Sequence, residues 1–269
     1  MSDVWSLVDF YTTSETSEIV ADILWSRGVV AIEEVTMTDS IVVLRTSMGD
    51  DPTTLIEAVH STFPDVASEI VTIARSVADT WREHATPTRI NEEVVLVPAW
   101  IVPPTDGLHI FVEPLDTFGL GNHPTTVLAL RLALRWVAKG STVFDLGSGS
   151  GVLSVGVAKL LDCAVTAYDI ADTAREALRI NCELNNVESI RWREGITGTS
   201  SQCVLANILA PVLIAESQTI ADALEPDGIV ILSGMRDEQV AGVLAHYETL
   251  TEIERESLDG WTAVVLRRT

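Results

Sequence analysis

A glycine-rich turn between an apolar run and an amphipathic run is the part of the sequence best suited to chemistry. It reads Asp-Leu-Gly-Ser-Gly-Ser-Gly from Asp145 to Gly151. Glycines in such a turn let bare backbone approach a nucleotide-like ligand, and the helix that follows offers free N–H donors at its N-terminus. A dinucleotide fingerprint, G-x-G-x-x-G, would need glycine where the sequence has Val152. The turn therefore predicts a nucleotide-like ligand that is not a nicotinamide dinucleotide, with Gly147 and Gly149 in contact with it.

An acidic residue follows the next apolar run. Residues 163–168 form this run, and Asp169 follows it directly, 22 residues after Gly147. In a doubly wound sheet, an acid at this place accepts hydrogen bonds from the ribose hydroxyls of an adenosine. The alternative is a cap for the helix that begins near Thr173, although Asp172 is better placed for that role. The recurrence of strand, acid and helix favours the ribose role.

A loop with two glycines precedes a predicted helix upstream of the glycine turn. Gly119 and Gly121 indicate flexibility, and Pro124 suits the first turn of a helix. Thr126 then lies in that first turn, where its hydroxyl and backbone N–H groups could meet a carboxylate. His123 could be a base, a substrate contact or a simple loop residue.

A polar residue also ends the fourth predicted strand of the second half of the chain. Asn207 follows an apolar run and precedes Pro211, which suits an early helical position. Ligands in open α/β sheets bind beyond the carboxyl ends of the strands, so Asn207 should face the same crevice as Gly147 and Asp169. Its amide oxygen could accept a hydrogen bond from an incoming amine and orient the nitrogen lone pair. The alternative is that Asn207 caps the following helix.

The second half of the chain alternates strands and helices, which predicts an α/β fold with a parallel sheet. The last two strands lack a helix between them, which indicates a terminal hairpin. The predicted strands are residues 143–145, 164–169, 189–193, 203–207, 229–233, 249–255 and 262–266.

The first 76 residues have a different pattern, in the order strand, helix, strand, strand, helix, strand. This order predicts a small α+β domain of the ferredoxin-like type, a fold that hosts many functions. Residues 77–105 are interpreted as a structured linker because they contain two tryptophans and no glycine. Residues 106–269 then form the second domain.

The composition is strongly acidic, with 39 acidic against 17 basic residues and a net charge of −22. Residues 1–100 hold 17 acids, five arginines and no lysine. This disfavours direct binding of nucleic acid, which needs a basic face, and would favour a basic protein partner. The alternative is that the acidic composition only provides solubility or reflects a saline cytoplasm. No apolar run is long enough to span a membrane, and residues 1–6 do not resemble a signal peptide, so we expect a cytoplasmic protein.

Three segments together resemble those of a known family. They are Phe118-Gly-Leu-Gly-Asn-His-Pro-Thr-Thr, Phe144-Asp-Leu-Gly-Ser-Gly-Ser-Gly and Ala206-Asn-Ile-Leu-Ala. The pattern D-x-G-x-G-x-G resembles that of class I S-adenosylmethionine-dependent methyltransferases. The three segments together resemble the PrmA family, which methylates protein eleven of the large ribosomal subunit, and the resemblance extends over nearly the whole chain.

The resemblance implies a seven-stranded, Rossmann-like methyltransferase domain that uses S-adenosyl-L-methionine. It implies that the cofactor is held by Thr126, Gly147, Asp169 and Asn207. It also implies that the N-terminal domain docks the ribosomal protein, whose lysine ε-amines and N-terminal amine are trimethylated. We expect a monomer without a metal ion, since the sequence lacks a His/Cys/Asp cluster at ligand spacing.

The sequence departs from the family in two segments. Leu120 stands where the family usually has threonine, and the run Asp169-Ile-Ala-Asp stands where it usually has Asp-Ile-Asp-Pro. Leu120 lies with Phe118 and His123 in the loop expected at the substrate entrance, so its identity bears on the acceptor. A related branch methylates lysines of the electron-transfer flavoprotein beta subunit, which is an alternative substrate. A non-catalytic module that recognises a basic protein is another alternative, and a small-molecule or nucleic-acid methyltransferase is harder to exclude.

Overall fold

The structure is a computed structural model, and it describes residues 4–13, 16–27, 29, 32–38, 41–46, 52–74, 82, 85–115, 117 and 119–268. The chain divides into two compact units, Met1–Ala85 and Thr86–Thr269. Within the described residues, no helix combines the length and the apolar character needed to cross a membrane.

The first unit is a four-stranded sheet with two helices. Its elements, in chain order, are β1 (Val4–Thr13), α1 (Ser17–Ser26), β2 (Ile32–Thr38), β3 (Ile41–Thr46), α2 (Thr53–His60) and β4 (Ala67–Ala74). The strand order is β2-β3-β1-β4, and every neighbouring pair is antiparallel. Alternate residues of the central strands, such as Val8, Phe10 and Leu44, are buried with Leu24 and Leu55 of the helices. The sheet therefore buries one face against both helices.

The second unit is built on a seven-stranded mixed sheet. Its strands are β8 (Thr142–Leu146), β9 (Ala164–Tyr168), β10 (Ile190–Trp192), β11 (Ser201–Asn207), β12 (Leu224–Arg236), β13 (Leu250–Leu258) and β14 (Trp261–Arg268). The order is β10-β9-β8-β11-β12-β14-β13. The first five are parallel, and β14 runs antiparallel to both neighbours. The prediction of parallel strands followed by a terminal hairpin is confirmed.

Helices cover both faces of this sheet. They are α3 (Pro124–Trp136), α4 (Val152–Leu161), α5 (Asp172–Asn185), α6 (Ala210–Ala215), α7 (Ser217–Asp222) and α8 (Val240–Leu244). Helices α3, α4 and α5 share one core with Val143 of β8, whereas α6, α7 and α8 share the other with its neighbour Phe144. The central strands are apolar on both faces because both faces are covered.

The strand order reverses between β8 and β11. From β8 the chain continues outward to β9 and β10, then returns to form β11 on the other side of β8. Ligands of open α/β sheets bind at such a reversal, beyond the carboxyl ends of the strands, and we call this region of the second unit the crevice. The glycine turn follows β8, and Asn207 ends β11, so both lie at this crevice.

A small third sheet lies in the second unit. It comprises β5 (Thr88–Arg89), β6 (Val94–Pro98) and β7 (Leu108–Val112), with β6 parallel to β7. Leu96 and Ile110 pack into the core that contains α3 and α4. Residues 86–105, interpreted above as part of a linker, thus belong to the second compact unit because β6 is entirely buried. The predicted helix near residue 82 lies largely outside the described residues.

Candidate active site

The glycine loop (residues 147–151) is fixed by its own backbone. Gly147, Gly149 and Gly151 have φ angles of 77°, 53° and 79°, in the region where side chains are disfavoured. The N–H groups of Gly147 and Ser148 donate to the carbonyl of Tyr168 at 2.8 and 3.0 Å. A Cβ built on Gly147 would lie 2.2 Å from Cγ2 of Ile208. Glycine at this position therefore lets the loop after β11 approach the loop after β8.

Asp169 joins the glycine loop to the end of β9. Its Oδ2 accepts a hydrogen bond from the Gly149 N–H at 2.8 Å, and its Oδ1 accepts one from the Ala171 N–H at 2.9 Å. Helix α5 begins at Asp172, and its N-cap is Ala171, which makes no side-chain cap. The interpretation of Asp169 as the helix N-cap is therefore wrong, and so is that of Asp172. A carboxylate has about four lone-pair sites, so Asp169 keeps acceptor capacity for a ligand.

His123 and Thr126 lie at the start of α3. Pro124 occupies the first helical turn as predicted, and His123 is the N-cap. The ring Nδ1 of His123 accepts from the Thr125 N–H at 3.3 Å and lies 2.8 Å from the Thr125 hydroxyl. Burial and the nearby Arg236 charge both lower the pKa of His123, which favours a neutral ring. His123 thus fixes the helical turn that carries Thr126.

Asn207 reaches Thr126 across the crevice. Its Nδ2 lies 3.4 Å from the Thr126 hydroxyl oxygen, the weakest of the contacts here, and Thr126 is fully buried. Helix α6 starts at Ala210 with Leu209 as its N-cap, without a side-chain cap bond. The interpretation of Asn207 as a helix cap is therefore wrong. The amide nitrogen faces Thr126, and the amide oxygen is buried with no hydrogen-bond partner.

Unpaired buried polar atoms concentrate at this crevice. Among the described residues, four buried side-chain N or O atoms lack a partner, namely Asp145 Oδ1, Ser148 Oγ, Asn207 Oδ1 and Glu256 Oε2. The Glu256 carboxylate lies in an ion-pair cluster with Arg131 and Arg135. The other three lie at the carboxyl ends of β8 and β11, and all can accept hydrogen bonds. Buried polar groups are normally paired, so these atoms fit a ligand with N–H donors.

Asp145 adds negative charge beneath the glycine loop. The side chain is completely buried, and its Oδ2 accepts from the Ser154 N–H at 3.2 Å and the Ser154 hydroxyl at 2.6 Å. Burial raises the pKa of Asp145 to about 6, and the nearby Asp169 charge acts in the same direction. A cationic ligand would stabilise the ionised carboxylate at this position.

An aromatic and cationic stack lies beside His123. The rings of His123 and Trp261 meet edge to face, with centroids 4.8 Å apart. The Arg236 guanidinium lies 4.0 Å from the centroid of the Trp261 ring. Arg236 and Trp261 are cross-strand partners of β12 and β14, which explains their proximity.

The substrate loop (residues 119–123) lies against the glycine loop. Gly119 and Gly121 have φ angles of 105° and 104°, and Leu120 between them is half-buried. The Ser150 hydroxyl donates to the carbonyl of Gly119 at 2.6 Å. Phe118, predicted to share the substrate entrance, lies outside the described residues. The structure therefore brings Thr126, Gly147, Gly149, Asp169 and Asn207 to one crevice with Leu120 and His123 nearby.

The sequence matches the PrmA family, described as ribosomal protein L11 methyltransferase (PrmA), over residues 4–269. The chain belongs to this family. The predicted family membership and the predicted methyltransferase activity are thus confirmed.

Similar proteins share this description. The ribosomal protein L11 methyltransferase of Bacillus velezensis (strain DSM 23117 / BGSC 10A6 / LMG 26770 / FZB42) is 35% identical over 71% of this chain, and the match spans 65% of that relative's length. The one from Listeria monocytogenes serotype 1/2a (strain 10403S) is 28% identical over 98% of both chains. The chain therefore spans just under two thirds of the first relative and nearly all of the second.

Solved structures are similar to part of this chain. A ribosomal protein L11 methylase from Lactobacillus delbrueckii subsp. bulgaricus has a TM-score of 0.63 and 28% identity, over 69% of this chain and all of that one. A methyltransferase from Pyrococcus furiosus, at 16% identity and a TM-score of 0.50, covers 58% of this chain and 88% of its own, and shows the fold alone. The seven-stranded sheet is that of class I methyltransferases.

The sequence analysis did not identify two asparagines of α5 that bind backbone elsewhere in the second unit. Asn181 and Asn185 lie on α5 and bind the backbone of β7 and Glu113, although they are 68 or more positions away. Their spacing of four places both on one helix face, which could have indicated a shared role. Ile170, which follows Asp169, is an apolar residue that is 91% exposed.

Proposed function

We propose that this chain transfers methyl groups from S-adenosylmethionine to amine nitrogens of ribosomal protein L11. The unpaired, buried Oδ1 of Asn207 is the observation that carries the proposal. The Asn207 amide nitrogen faces Thr126, which leaves Oδ1 to accept a hydrogen bond from a primary amine. An amine held by its N–H in this way can direct its lone pair at the methyl group. The family and the names of the relatives supply the reaction and the substrate.

The crevice has the groups that S-adenosylmethionine requires. Gly147 and Gly149 would line the methionine part, and Asp145 and Ser148 offer acceptors for its ammonium group. Asp169 would accept hydrogen bonds from the ribose hydroxyls, since its carboxylate lies at the end of β9 beside the glycine loop. When bound, the cofactor supplies a methyl group on a positively charged sulfur.

The residues of the chain would act mainly by orientation. Asn207 Oδ1 would accept an N–H of the neutral amine, and the nitrogen lone pair would then form the new bond to carbon as the sulfur–carbon bond breaks. The proton left on the alkylated nitrogen passes to solvent. Orientation of this kind contributes up to about 7–11 kcal/mol in favourable cases. A strong base is not needed once the lysine is neutral, which an apolar, water-poor surrounding favours.

His123 would support this geometry without removing the proton. Its Nδ1 accepts from Thr125, so the nitrogen that could act as a base is engaged in the helix cap. His123 ends the substrate loop that contains Leu120, so its ring and the Trp261 ring would line the entrance predicted there.

The N-terminal unit would dock the protein substrate. We propose that residues 1–76 are a ferredoxin-like recognition domain and residues 106–269 the methyltransferase domain. Residues 77–105 would be a structured linker whose part from Thr86 onward packs within the second unit. The acidic composition of residues 1–100 supports a basic partner, because opposite charge accelerates encounter and favours binding. A ribosomal substrate would place the reaction in the cytoplasm, and we propose that the enzyme works as a monomer.

A methylation assay with matched substrates tests the proposal. Purified ribosomal protein L11, the electron-transfer flavoprotein beta subunit and free lysine are each incubated with the enzyme and S-adenosylmethionine, and mass spectrometry counts added methyl groups. Methylation of ribosomal protein L11 alone is the expected outcome. Methylation of the flavoprotein subunit instead would replace the substrate, and cofactor binding without any methylation would favour a recognition module.

The catalytic role of Asn207 has its own test. Asn207→Ala should lower turnover about a hundredfold while changing cofactor affinity far less, because the lost contact belongs to the transition state. Asn186→Ala is a matched control, since Asn186 is the C-cap of α5 and lies away from the crevice. A melting temperature lowered in Asn207→Ala with turnover per folded molecule unchanged would contradict the catalytic role.

Charge reversal tests the docking role of the first unit. Glu33 and Glu34 lie on β2 with exposed side chains. Glu33→Lys with Glu34→Lys should raise the KM for ribosomal protein L11 about tenfold at low salt and less at high salt, because exposed charges are screened. Asp222→Lys with Glu248→Lys, on exposed positions of the second unit, is the control. Equal effects of both pairs would mean that only net charge matters.

A further inference from the structure

The segment that leads from β7 into the substrate loop is fastened to the glycine loop at two points. Asn181 of α5 accepts from the Glu113 N–H at 2.7 Å through Oδ1, and its Nδ2 donates to the Glu113 carbonyl at 2.8 Å. The same Nδ2 donates to the carbonyl of Ser150 at 2.8 Å. The first point of attachment therefore joins the end of β7 to Ser150 through one buried amide.

Ser150 makes the second attachment itself. Its hydroxyl donates to the Gly119 carbonyl at 2.6 Å and accepts from the Val152 N–H at 3.3 Å. Ser150 is completely buried, and Asn181 is 1% exposed, so water cannot replace these bonds. A Cβ built on Gly119 would lie 2.8 Å from the Ser150 hydroxyl oxygen, which shows how closely the two loops approach.

Ser150 thus holds both sides of one segment, Gly119 through its hydroxyl and Glu113 through its carbonyl and Asn181. The side chains of Ser150 and Asn181 have no unpaired polar atoms, because they form hydrogen bonds with protein backbone. These side chains therefore fix the relative position of two loops and do not offer groups to a ligand.

We propose that Ser150 and Asn181 are positioning residues, which hold the substrate loop at the glycine loop so that the acceptor amine approaches in register with the cofactor. This inference rests on the proposed function for its kinetic consequences. Its structural consequence, that the substrate loop is held by Ser150, does not depend on the identity of the substrate. Catalytic contact with the amine remains with Asn207.

Ser150→Ala is the principal test, because it removes one hydroxyl and leaves the Gly119 carbonyl buried without a donor. The hydrogen exchange of the amides of residues 119–122 should become about tenfold faster, as the loss of one buried hydrogen bond permits. The ratio kcat/KM for ribosomal protein L11 should fall about tenfold, and affinity for S-adenosylhomocysteine by calorimetry should stay within about twofold.

Tyr247→Phe is the matched control. Its hydroxyl donates to the Leu213 carbonyl at 2.7 Å and is buried in the same unit, on the other side of the sheet. It should lower the melting temperature as Ser150→Ala does, while leaving loop exchange and kcat/KM unchanged. Asn181→Asp, which keeps the acceptor for Glu113 and removes both donors, should reproduce the kinetic effect of Ser150→Ala if it folds.

Two results would overturn the proposal. Unchanged exchange at residues 119–122 in Ser150→Ala would show that the hydroxyl does not hold the loop. A loss of methylation matched by an equal loss of S-adenosylhomocysteine affinity would show that Ser150 serves only the glycine loop. If the unmodified enzyme binds S-adenosylhomocysteine but does not methylate ribosomal protein L11, the proposed function fails, whereas the exchange experiment still decides the role of Ser150.

Discussion

The glycine loop and the substrate loop lie side by side, yet they are held in shape by different means. The glycine loop keeps its form through its own glycine φ angles and through hydrogen bonds to Tyr168, the last residue of the next strand. The substrate loop depends on residues from elsewhere, since Ser150 holds Gly119, and a Cβ on Gly121 would lie 2.4 Å from Leu96 Cδ1. Hydrogen bonds to the adjacent strand of the same sheet thus support the glycine loop, whereas a side chain of the glycine loop supports the substrate loop.

This difference predicts where substitutions act. Changes at the glycines of the glycine loop should affect cofactor binding first, because these glycines set the backbone conformation of the loop. Ser150 is the exception, since its hydroxyl holds the Gly119 carbonyl of the substrate loop. Changes in the substrate loop should affect the KM and kcat for the protein substrate, because this loop lies at the predicted substrate entrance.

Gly147→Ala should have the largest effect. An L-residue in the left-handed region costs about 1–2 kcal/mol, and the new methyl would meet Ile208 at 2.2 Å. Affinity for S-adenosylhomocysteine should fall about a hundredfold or more by calorimetry. Gly242→Ala is the control, since a Cβ there meets nothing within 4 Å. Wild-type affinity in Gly147→Ala would show that the glycine loop is more adaptable than its φ angles indicate.

Asp169→Ala should follow in size. Loss of a charged acceptor for the ribose hydroxyls costs about 1.5–3 kcal/mol, which is about ten- to a hundredfold in affinity. Asp172→Ala, three residues further on in the first turn of α5, should change affinity by less than about threefold. Unchanged binding in Asp169→Ala would reject the ribose assignment.

The pH dependence of cofactor affinity tests the role of Asp145 beneath the glycine loop. Because burial raises the pKa of Asp145 to about 6, the stability that its protonated form contributes to the ligand-free protein is lost as pH rises through about 6. A cationic ligand favours the ionised form, so S-adenosylhomocysteine affinity should rise several-fold between pH 5 and pH 7 and then level off.

Asp145→Asn should flatten this pH dependence of affinity and should raise the melting temperature of the ligand-free protein at pH 8. Calorimetry and thermal melts at matched pH check both. A slope that persists in Asp145→Asn would assign the titration to another group.

Leu120→Thr should have the smallest effect and lies in the other loop. It restores the residue that the family usually has, on a half-buried position between two glycines. We expect S-adenosylhomocysteine affinity to stay unchanged and the KM for ribosomal protein L11 to change by about two- to fivefold, since one hydroxyl at an entrance contributes about 0.5–1 kcal/mol. A larger effect on cofactor affinity than on KM would contradict the separation of the two loops.

Local pattern was sufficient for much of this crevice. The glycine turn, the acid at the end of β9 and Asn207 at the end of β11 were predicted from strand ends, because the carboxyl ends of parallel strands face one edge of a sheet. The caps were predicted less well, since Ala171, Leu209 and His123 occupy positions where serine, threonine, aspartate or asparagine is usual. Cap preference is weak, and tertiary packing decided each of these helix starts.

By itself, the sequence determined the order of elements, the parallel sheet with its terminal hairpin, the family and the set of residues that end the strands. These depend on periodicities of two and 3.6 residues and on glycine positions, which act over a few neighbours. Only the tertiary structure decided which distant residues meet. Asn181 binds Glu113 across 68 positions, and Ser150 binds Gly119 across 31. The packing of α5 and β7 against one core brings such pairs together, and no local pattern encodes that arrangement.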